Sequence, residues 1–348
     1  MSRRPERDLN VGVVGATGAV GEVLLRVLEE RAFPVGELRA LASERSAGTT
    51  VAFRGERVPV AEAAADSFGG LDVVFFAATG SLSKSLAPEV AKAGAVAIDK
   101  SSTWRMDPTV PLVVPEVNPQ AVDAHRGIIA CPNCTTIGAV MALAPIHRAA
   151  GLESVVVTTL QAVSGAGKPG IDELEEQQRA LASGVAIAPK VFDAQIANNV
   201  VPKCDAFGEG AFTGEEAKLL HETRKILGLP ELAVSVTCVR VPVPVGHSAS
   251  MLLGTQRPIG PDEARRALAA FPGVEVVDDV ATGRFPTPND VAGRDAVLVG
   301  RVRTDAVSDR LWLWQTSDNL RKGAATNAVQ IAELLIERGL LPRREARS

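Results

Sequence analysis

The sequence predicts an α/β protein that opens on a parallel, doubly wound sheet, in a chain long enough for a second domain. Three observations predict it. A short apolar run leads straight into a glycine-rich loop and a helix; strand and helix patterns then alternate; and 348 residues exceed what one ordinary core uses. Apolar residues make up 46% and charged residues 22%, the profile of a soluble globular chain.

The first strand is Leu9-Asn10-Val11-Gly12-Val13-Val14, short and apolar enough to be buried. It runs into Gly15-Ala16-Thr17-Gly18-Ala19-Val20-Gly21, and residues 22–30 then place Val23, Leu24, Val27 and Leu28 on one helical face. Strand, glycine loop and helix in this order are the context that a dinucleotide fingerprint needs. Glycines let the backbone approach a pyrophosphate, and the helix start supplies N–H donors and positive potential. The spacing here is GxxGxxG, so a Gly-rich turn without a ligand stays open as a reading. A second strand around residues 38–41 ends in Ala42-Ser43-Glu44-Arg45-Ser46. Dinucleotide sites that prefer NAD put a carboxylate facing the ribose at this point. Arg45 between Ser43 and Ser46 instead suits a 2′-phosphate, which favours NADP; Glu44 facing inward would favour NAD. Residues 73–77 give a third strand ending in Ala78-Thr79-Gly80, residues 82–93 a helix, and residues 96–98 a fourth strand. Internal repeats and low-complexity stretches are absent.

Net charge is −4, which leaves no electrostatic footprint for nucleic acid or a membrane surface. No apolar run reaches the roughly 18 residues that span a bilayer. The start, MSRRPERDLN, lacks an apolar h-region, so no signal peptide is expected. Four cysteines are too few for a disulfide framework, and the cytoplasm is the default compartment.

Candidate chemistry centres on Cys131-Pro132-Asn133-Cys134-Thr135-Thr136, between a short strand at 128–130 and a helix expected from 137 to 150. Asn133 fits an N-cap. Cys134 then sits in a first turn, where dipole and free N–H groups activate a thiol and could serve an oxyanion. A CxxC redox pair is the competing reading, against which Pro-Asn inside the motif and the upstream nucleotide loop both argue. Cys204 and Cys238 read as small buried hydrophobes. A nucleophilic thiol needs a base, and there are four histidines. His147 and His221 fall in helices and His125 in a polar turn. His247 follows Val-Pro-Val-Pro-Val-Gly at 241–246, where the prolines exclude a central strand. An extended segment and glycine turn before an exposed histidine suit an active-site loop; an ordinary surface histidine is the alternative. Arg105 lies in a polar loop, Ser101-Ser102-Thr103-Trp104-Arg105, where switch-point ligands are found. Glu215 and Lys218 are three apart on one helix face, which by itself reads as a surface ion pair. Residues 155–160 form a strand that leads to the small-residue loop Gln161-Ala162-Val163-Ser164-Gly165-Ala166-Gly167.

Together these pieces resemble the aspartate-β-semialdehyde dehydrogenase family, in order along nearly the whole chain. The matching segments are GATGAVG at 15–21, ASERSAG at 42–48, SSTWR at 101–105, VPEVN at 114–118 and CPNCTT at 131–136. They continue with QAVSGAG at 161–167, EEAK at 215–218, RVPVPVGHS at 240–248 and DNLRKGAATN at 318–327. The resemblance implies a Rossmann-type nucleotide-binding domain, residues 1–133, completed by a C-terminal helix within 320–348. An α+β catalytic and dimerisation domain, residues 134–319, is implied beside it. It implies Cys134 as acyl-thioester nucleophile, His247 as acid/base and Gln161 as the residue that orients the substrate. Arg240 is implied as a clamp on the substrate α-carboxylate, Glu215 as partner of the α-amino group, and Arg105 and Lys218 as phosphate ligands. NADP contacts are implied for Gly15, Ala16, Thr17, Gly18, Ala19, Val20, Ser43, Arg45, Ser46, Thr79, Ser102, Ser164, Gly165 and, on the nicotinamide side, Asn319. No metal is implied. Family members are homodimers or tetramers. The implied reaction is NADPH-dependent reductive dephosphorylation of L-aspartyl 4-phosphate to L-aspartate 4-semialdehyde, on the route to lysine (through diaminopimelate), threonine and methionine. Two positions depart from the commonest pattern: Cys131 stands where many members have Asn, and Lys100 where Asn is frequent. An N-acetylglutamyl-phosphate reductase is the nearest rival, against which the Arg240–Glu215 pair argues because it reads a free amino acid. A catalytically silent NADP-binding homologue should have lost Cys134, Gln161 or His247.

Overall fold

The computed structural model describes residues 7–341. The expectations for residues 1–6 and 342–348 lie outside that range. The chain divides into two units, one of residues up to Pro132 together with those from Ala324 onward, the other of Asn133–Gly323.

In the first unit β1 (Leu9–Val14) is buried on both faces and feeds α1 (Ala19–Glu30). Gly15 carries the turn at φ +86°, and a Cβ there would stand 2.4 Å from the Ala77 carbonyl oxygen. Gly21 packs equally closely on the Gly15 carbonyl, so helix and strand approach each other only because both residues lack side chains. Then follow β2 (Val35–Ala42), the hairpin β3 (Thr50–Phe53) and β4 (Glu56–Glu62), β5 (Val73–Phe76), α2 (Gly80–Lys92), β6 (Val96–Asp99) and β7 (Ile128–Ala130). The strands form one sheet in the order β3-β4-β2-β1-β5-β6-β7. Every pairing is parallel except β3 with β4. The doubly wound sheet expected from the sequence is present. The hairpin was not foreseen, because TVAF and ERVPVAE are mostly exposed and show no apolar run.

The second unit opens with α3 (Cys134–Ala150), followed by β8 (Leu152–Gln161), α4 (Lys168–Ala182), α5 (Gly214–Leu227), β9 (Ala233–Arg240) and β10 (His247–Thr255). It ends with α6 (Pro261–Ala269), β11 (Val274–Val276), the single turn α7 (Pro288–Val291), β12 (Val297–Thr304) and β13 (Leu311–Ser317). Its sheet is mixed, in the order β11-β12-β13-β10-β8-β9. Helix α3 covers one face of it. The other face carries Val156 and Thr158 of β8, Ser235 and Thr237 of β9, Leu252 of β10, and Trp312 and Trp314 of β13, all exposed or half-buried.

A π turn at Arg321–Ala325, which spans the end of the second unit, leads into α8 (Thr326–Arg338), which packs on α1 and β6 of the first unit. Arg31 and Glu333 join α1 to α8 with two hydrogen bonds. The C-terminal helix, implied from about Leu320 to Arg338, begins later than that, after the π turn, and ends at Arg338, where Gly339 at φ +67° closes it. No helix among the described residues is long and apolar enough to cross a membrane.

Candidate active site and nucleotide loops

Strand register assembles the site. β8 and β9 run parallel and place Gln161 beside Arg240. β10 runs antiparallel to both β8 and β13, so its first residue, His247, comes level with the end of β8 and with Ser317 at the end of β13. Four strand ends therefore meet at one edge, and Asn319 follows two residues after β13 ends.

His247 corrects an expectation. It is not an exposed loop residue: it is 2% exposed and begins a central strand. The prolines that exclude a strand do fall between β9 and β10, and Gly246 at φ +100° turns the chain into β10. His247 Nδ1 accepts the Ala162 N–H at 3.0 Å. An acceptor Nδ1 means that the neutral ring carries its proton on Nε2. A Cβ on Gly165 would lie 3.3 Å from that Nε2 and 2.6 Å from Arg240 Nη1. Gly165 is a glycine because two functional side chains close over it. Arg240 is buried, donates from Nη1 to the Ala162 carbonyl at 2.8 Å, and lies over the Phe192 ring at 5.9 Å. It forms no ion pair among the described residues, although a buried guanidinium ordinarily has a carboxylate partner.

Asn133 caps α3 as expected, its Oδ1 accepting the N–H groups of Thr135 and Thr136 at 2.9 and 3.2 Å. Those two donors are thereby taken, which narrows the expected oxyanion site. The Cys134 N–H is the first-turn donor without a partner among the described residues. Asn133 Nδ2 donates to Glu215 Oε1 at 2.9 Å, and its backbone N–H donates to Glu222 Oε2 at 2.7 Å, tying the nucleophile's turn to α5. Gln161 Nε2 also reaches Glu215 Oε1, at 3.3 Å. Gly323 packs on Cys134, where a Cβ would stand 3.0 Å from the cysteine's own.

Glu215 is buried and Lys218 partly so, which excludes the surface-pair reading. Burial opposes ionisation of Glu215, but Lys218, the Asn133 amide and Arg240 together outweigh it and hold the carboxyl below its ordinary value. Burial likewise works against Lys218, and Glu215 with Asp205 raises it above the usual lysine value. A cavity of about 440 Å³ is lined by Arg240, Glu215, Lys218, Asp205, Phe192 and Gly165, among others.

All four cysteines are free thiols, and only Cys134 is partly exposed. Burial pushes the Cys204 thiol up to about 12 and raises that of Cys238 as well. Cys131 is fully buried in the first unit, where Asn327 Nδ2 donates to its sulfur at 3.3 Å. Lys100 Nζ donates to the Pro132 carbonyl at 3.0 Å and ties the end of β6 to the Cys-Pro segment. Arg105 also belongs to the first unit, buried and tied to the carbonyls of Cys131 and Lys100 at 3.1 and 2.7 Å. Ser164 and Asn319 belong to the second unit and exchange hydrogen bonds, while Asn319 Oδ1 accepts the Gly246 N–H at 3.0 Å.

The glycine loop fits a dinucleotide pyrophosphate. Residues 17–20 are exposed or half-buried, and the cap residue Gly18 brings no side-chain oxygen to the first-turn N–H groups of α1, which suits an anion there. Ser43, Glu44 and Arg45 are exposed after β2, with Ser46 half-buried in the same turn. Thr79 caps α2, and Ser102 is exposed in the loop after β6.

Sequence reasoning missed Asp205, Phe192 and Glu222, which join the site only through tertiary packing. It also left out Gly323, whose glycine within a quoted motif was the available signal.

These features define a class, the nicotinamide-dependent semialdehyde dehydrogenases. The family model described as semialdehyde dehydrogenase, NAD binding domain, matches residues 10–125, and that described as semialdehyde dehydrogenase, dimerisation domain, matches residues 143–322. An aspartate-semialdehyde dehydrogenase of Aquifex aeolicus is 52% identical over 337 residues, covering 95% of this chain and 99% of the relative. One from Bacillus subtilis is 46% identical, covering 94% and 98%. The crystal structure of aspartate semialdehyde dehydrogenase II complexed with ASA from Vibrio cholerae superposes with a TM-score of 0.92 at 47% identity, covering 95% of this chain and 99% of that one. A Candida albicans aspartate semialdehyde dehydrogenase solved with NADP gives a TM-score of 0.76 at 26% identity, covering 96% and 99%. The chain belongs to the aspartate-semialdehyde dehydrogenase family.

Proposed function

We propose that this chain reduces L-aspartyl 4-phosphate to L-aspartate 4-semialdehyde with NADPH, in the biosynthesis of lysine, threonine and methionine. The observation that carries the reading is a buried Arg240 without an ion pair, sharing a cavity with an ionised Glu215. One cation and one anion side by side suit the α-carboxylate and α-ammonium of a free amino acid. An N-acetylated substrate offers no ammonium and would leave Glu215 without its partner.

Cys134 sulfur attacks the acyl carbon, the C–O bond to phosphate breaks, and inorganic phosphate leaves a thioester behind. The Cys134 N–H faces the oxygen on which charge develops. His247 holds its proton at Nε2, fixed there by the Ala162 N–H, and donates it as a hydrogen bond to the same oxygen. Gln161 orients the acyl group, and Lys218 draws the leaving phosphate. NADPH, when bound, supplies the hydride that reduces the thioester. The C–S bond then breaks, the aldehyde departs and the Cys134 thiolate is restored. Residues 15–20 would hold the pyrophosphate, and Ser43, Arg45 and Ser46 the 2′-phosphate. In this reading residues 1–133 with the C-terminal helix bind NADP and residues 134–319 carry catalysis and dimerisation. The second unit's uncovered sheet face suits a second copy of the chain. Four cysteines without a disulfide among them suit the reducing cytoplasm.

The test is the reverse assay with aspartate semialdehyde, inorganic phosphate and NADP. Turnover is expected, with N-acetylglutamate semialdehyde inert; the opposite preference overturns the substrate reading. Arg45→Ala should lower kcat/KM for NADP towards that for NAD, and a wild type that already prefers NAD would show that Glu44 faces the ribose.

A further inference from the structure

We infer that Asp205 is a positioning residue for Lys218, holding its ammonium where the substrate phosphate binds; the inference rests on the reading of Lys218 given above. Lys218 Nζ lies 2.7 Å from Asp205 Oδ2 and 3.3 Å from Glu215 Oε2. Asp205 is therefore the nearer of two carboxylates that share one ammonium. An ammonium has three N–H donors. Two carboxylates fix two of them, and the third is left for a phosphate oxygen in the cavity that all three side chains line.

The backbone is bent to make this contact. Asp205 sits at φ +75°, a conformation that non-glycine residues adopt at a cost and that marks functional sites. Its Oδ1 accepts the Ala206 N–H at 2.8 Å, which fixes the carboxylate plane. Gly214, the first residue of α5, clears the space: a Cβ there would stand 2.7 Å from Asp205 Oδ2. Opposite shifts on the two partners agree with the geometry. Lys218, through its hydrogen bond and charge, holds Asp205 below the ordinary carboxylate value against the opposing effect of burial, and Lys218 is itself raised. Without Asp205 the long lysine side chain regains its rotamer freedom. It also falls back on Glu215, the acceptor that the substrate ammonium needs.

Steady-state kinetics in the oxidative direction, with inorganic phosphate as the varied substrate, tests this. Asp205→Asn keeps a side chain that tolerates positive φ and removes the charge; Asp205→Gly removes the strain as well. Both should raise KM for phosphate about tenfold, the scale set by losing one ordered lysine contact, with kcat and KM for NADP little changed. Asp205→Gly should do so without loss of thermal stability, which a merely structural residue would not show. In a Lys218→Met background Asp205→Asn should change nothing further, because it acts only through that lysine. An unchanged KM for phosphate in Asp205→Asn, beside a raised one in Lys218→Met, overturns the inference alone. An undiminished effect of Asp205→Asn in the Lys218→Met background also overturns it. An unchanged KM in Lys218→Met overturns the reading of Lys218 and the inference with it.

Discussion

At the scale of the residue, chemistry is decided by which groups are reachable and which are already satisfied. Cys134 is the one partly exposed thiol of four, and burial pushes two of the others towards inert, protonated sulfur. Limiting iodoacetamide should abolish activity by labelling Cys134 alone, with phosphate or a substrate analogue protecting it. Peptide mapping after partial inactivation checks this, and label on Cys131 in step with lost activity would remove Cys134 from the mechanism. Arg240 is constrained on three sides, by the Ala162 carbonyl, the Phe192 ring and Gly165. Arg240→Lys keeps the charge but loses the planar fork that grips a carboxylate through two bonds. KM for the aldehyde should rise steeply while KM for NADP holds; unchanged kinetics would take Arg240 out of the site. His247→Ala should cost about 10²–10⁴-fold in turnover, the worth of a well-placed proton-handling group. Because Nδ1 is occupied as an acceptor, a side-chain amide at this position should recover part of that loss by supplying a donor. Turnover within a few-fold of wild type in His247→Ala would shift the proton to a different group.

Elements explain why some of this was legible in the sequence and some was not. β1, the glycine loop and α1 are consecutive, so their order alone carries the reading, and the N-cap of α3 was equally local. The meeting of Gln161, Arg240 and His247 is not local. It depends on a parallel pairing of β8 with β9 and an antiparallel one of β8 with β10, and no periodicity encodes register between distant strands. β9 itself alternates only weakly between exposed and half-buried positions. The burial of His247 followed from that register, whereas the local pattern of prolines and glycine suggested a loop. The family resemblance supplied the roles that local pattern left open, Glu215 among them. The Glu215–Lys218–Asp205 cluster at the start of α5 also sets a pH dependence. Glu215 is depressed in the folded state, so its stabilising effect is present above the ordinary carboxylate value and is lost as pH falls through the depressed one. Lys218 is raised, so its contribution is present below the ordinary lysine value and is lost as pH climbs through the raised one. Urea midpoints of Glu215→Gln should therefore lie below wild type at neutral pH and converge with it in acid. A gap that persists undiminished at low pH would mean that packing, and not charge, holds Glu215.

For the whole molecule the open question is what covers the second sheet. Its inner face is covered by α3 and, over β9, by α5, and it carries the candidate site residues, with Gln161, Arg240 and His247 all buried there. Its outer face runs across β9, β8, β10 and β13 and presents Val156, at 41% exposure, with Leu252, Trp312 and Trp314 half-buried around it. The indole N–H groups are already satisfied, Trp312 by Asp305 at 2.8 Å and Trp314 by the Pro286 carbonyl at 3.0 Å, and Arg303 lies over the Trp312 ring at 5.3 Å. Apolar side chains grouped on one exposed face and rimmed by polar ones mark an association site. The matching family model is described as a dimerisation domain over residues 143–322, which contain every one of these strands. Two copies of this face packed together would bury Val156, Leu252 and the indoles at its centre, with Thr158, Ser235 and Thr237 beside them able to hydrogen-bond across the contact, while the backbone of the central strands is already paired on both sides. The same contact would brace the outer side of strands whose ends hold Gln161, Arg240 and His247. Val156→Glu puts a charge at the centre of the face, and burying it unpaired costs more than a dimer contact there returns. Light scattering after size exclusion should give a dimer or larger assembly for wild type and a monomer for Val156→Glu. Circular dichroism should be unchanged and turnover reduced. If Val156→Glu assembles as wild type does, self-association runs through another surface.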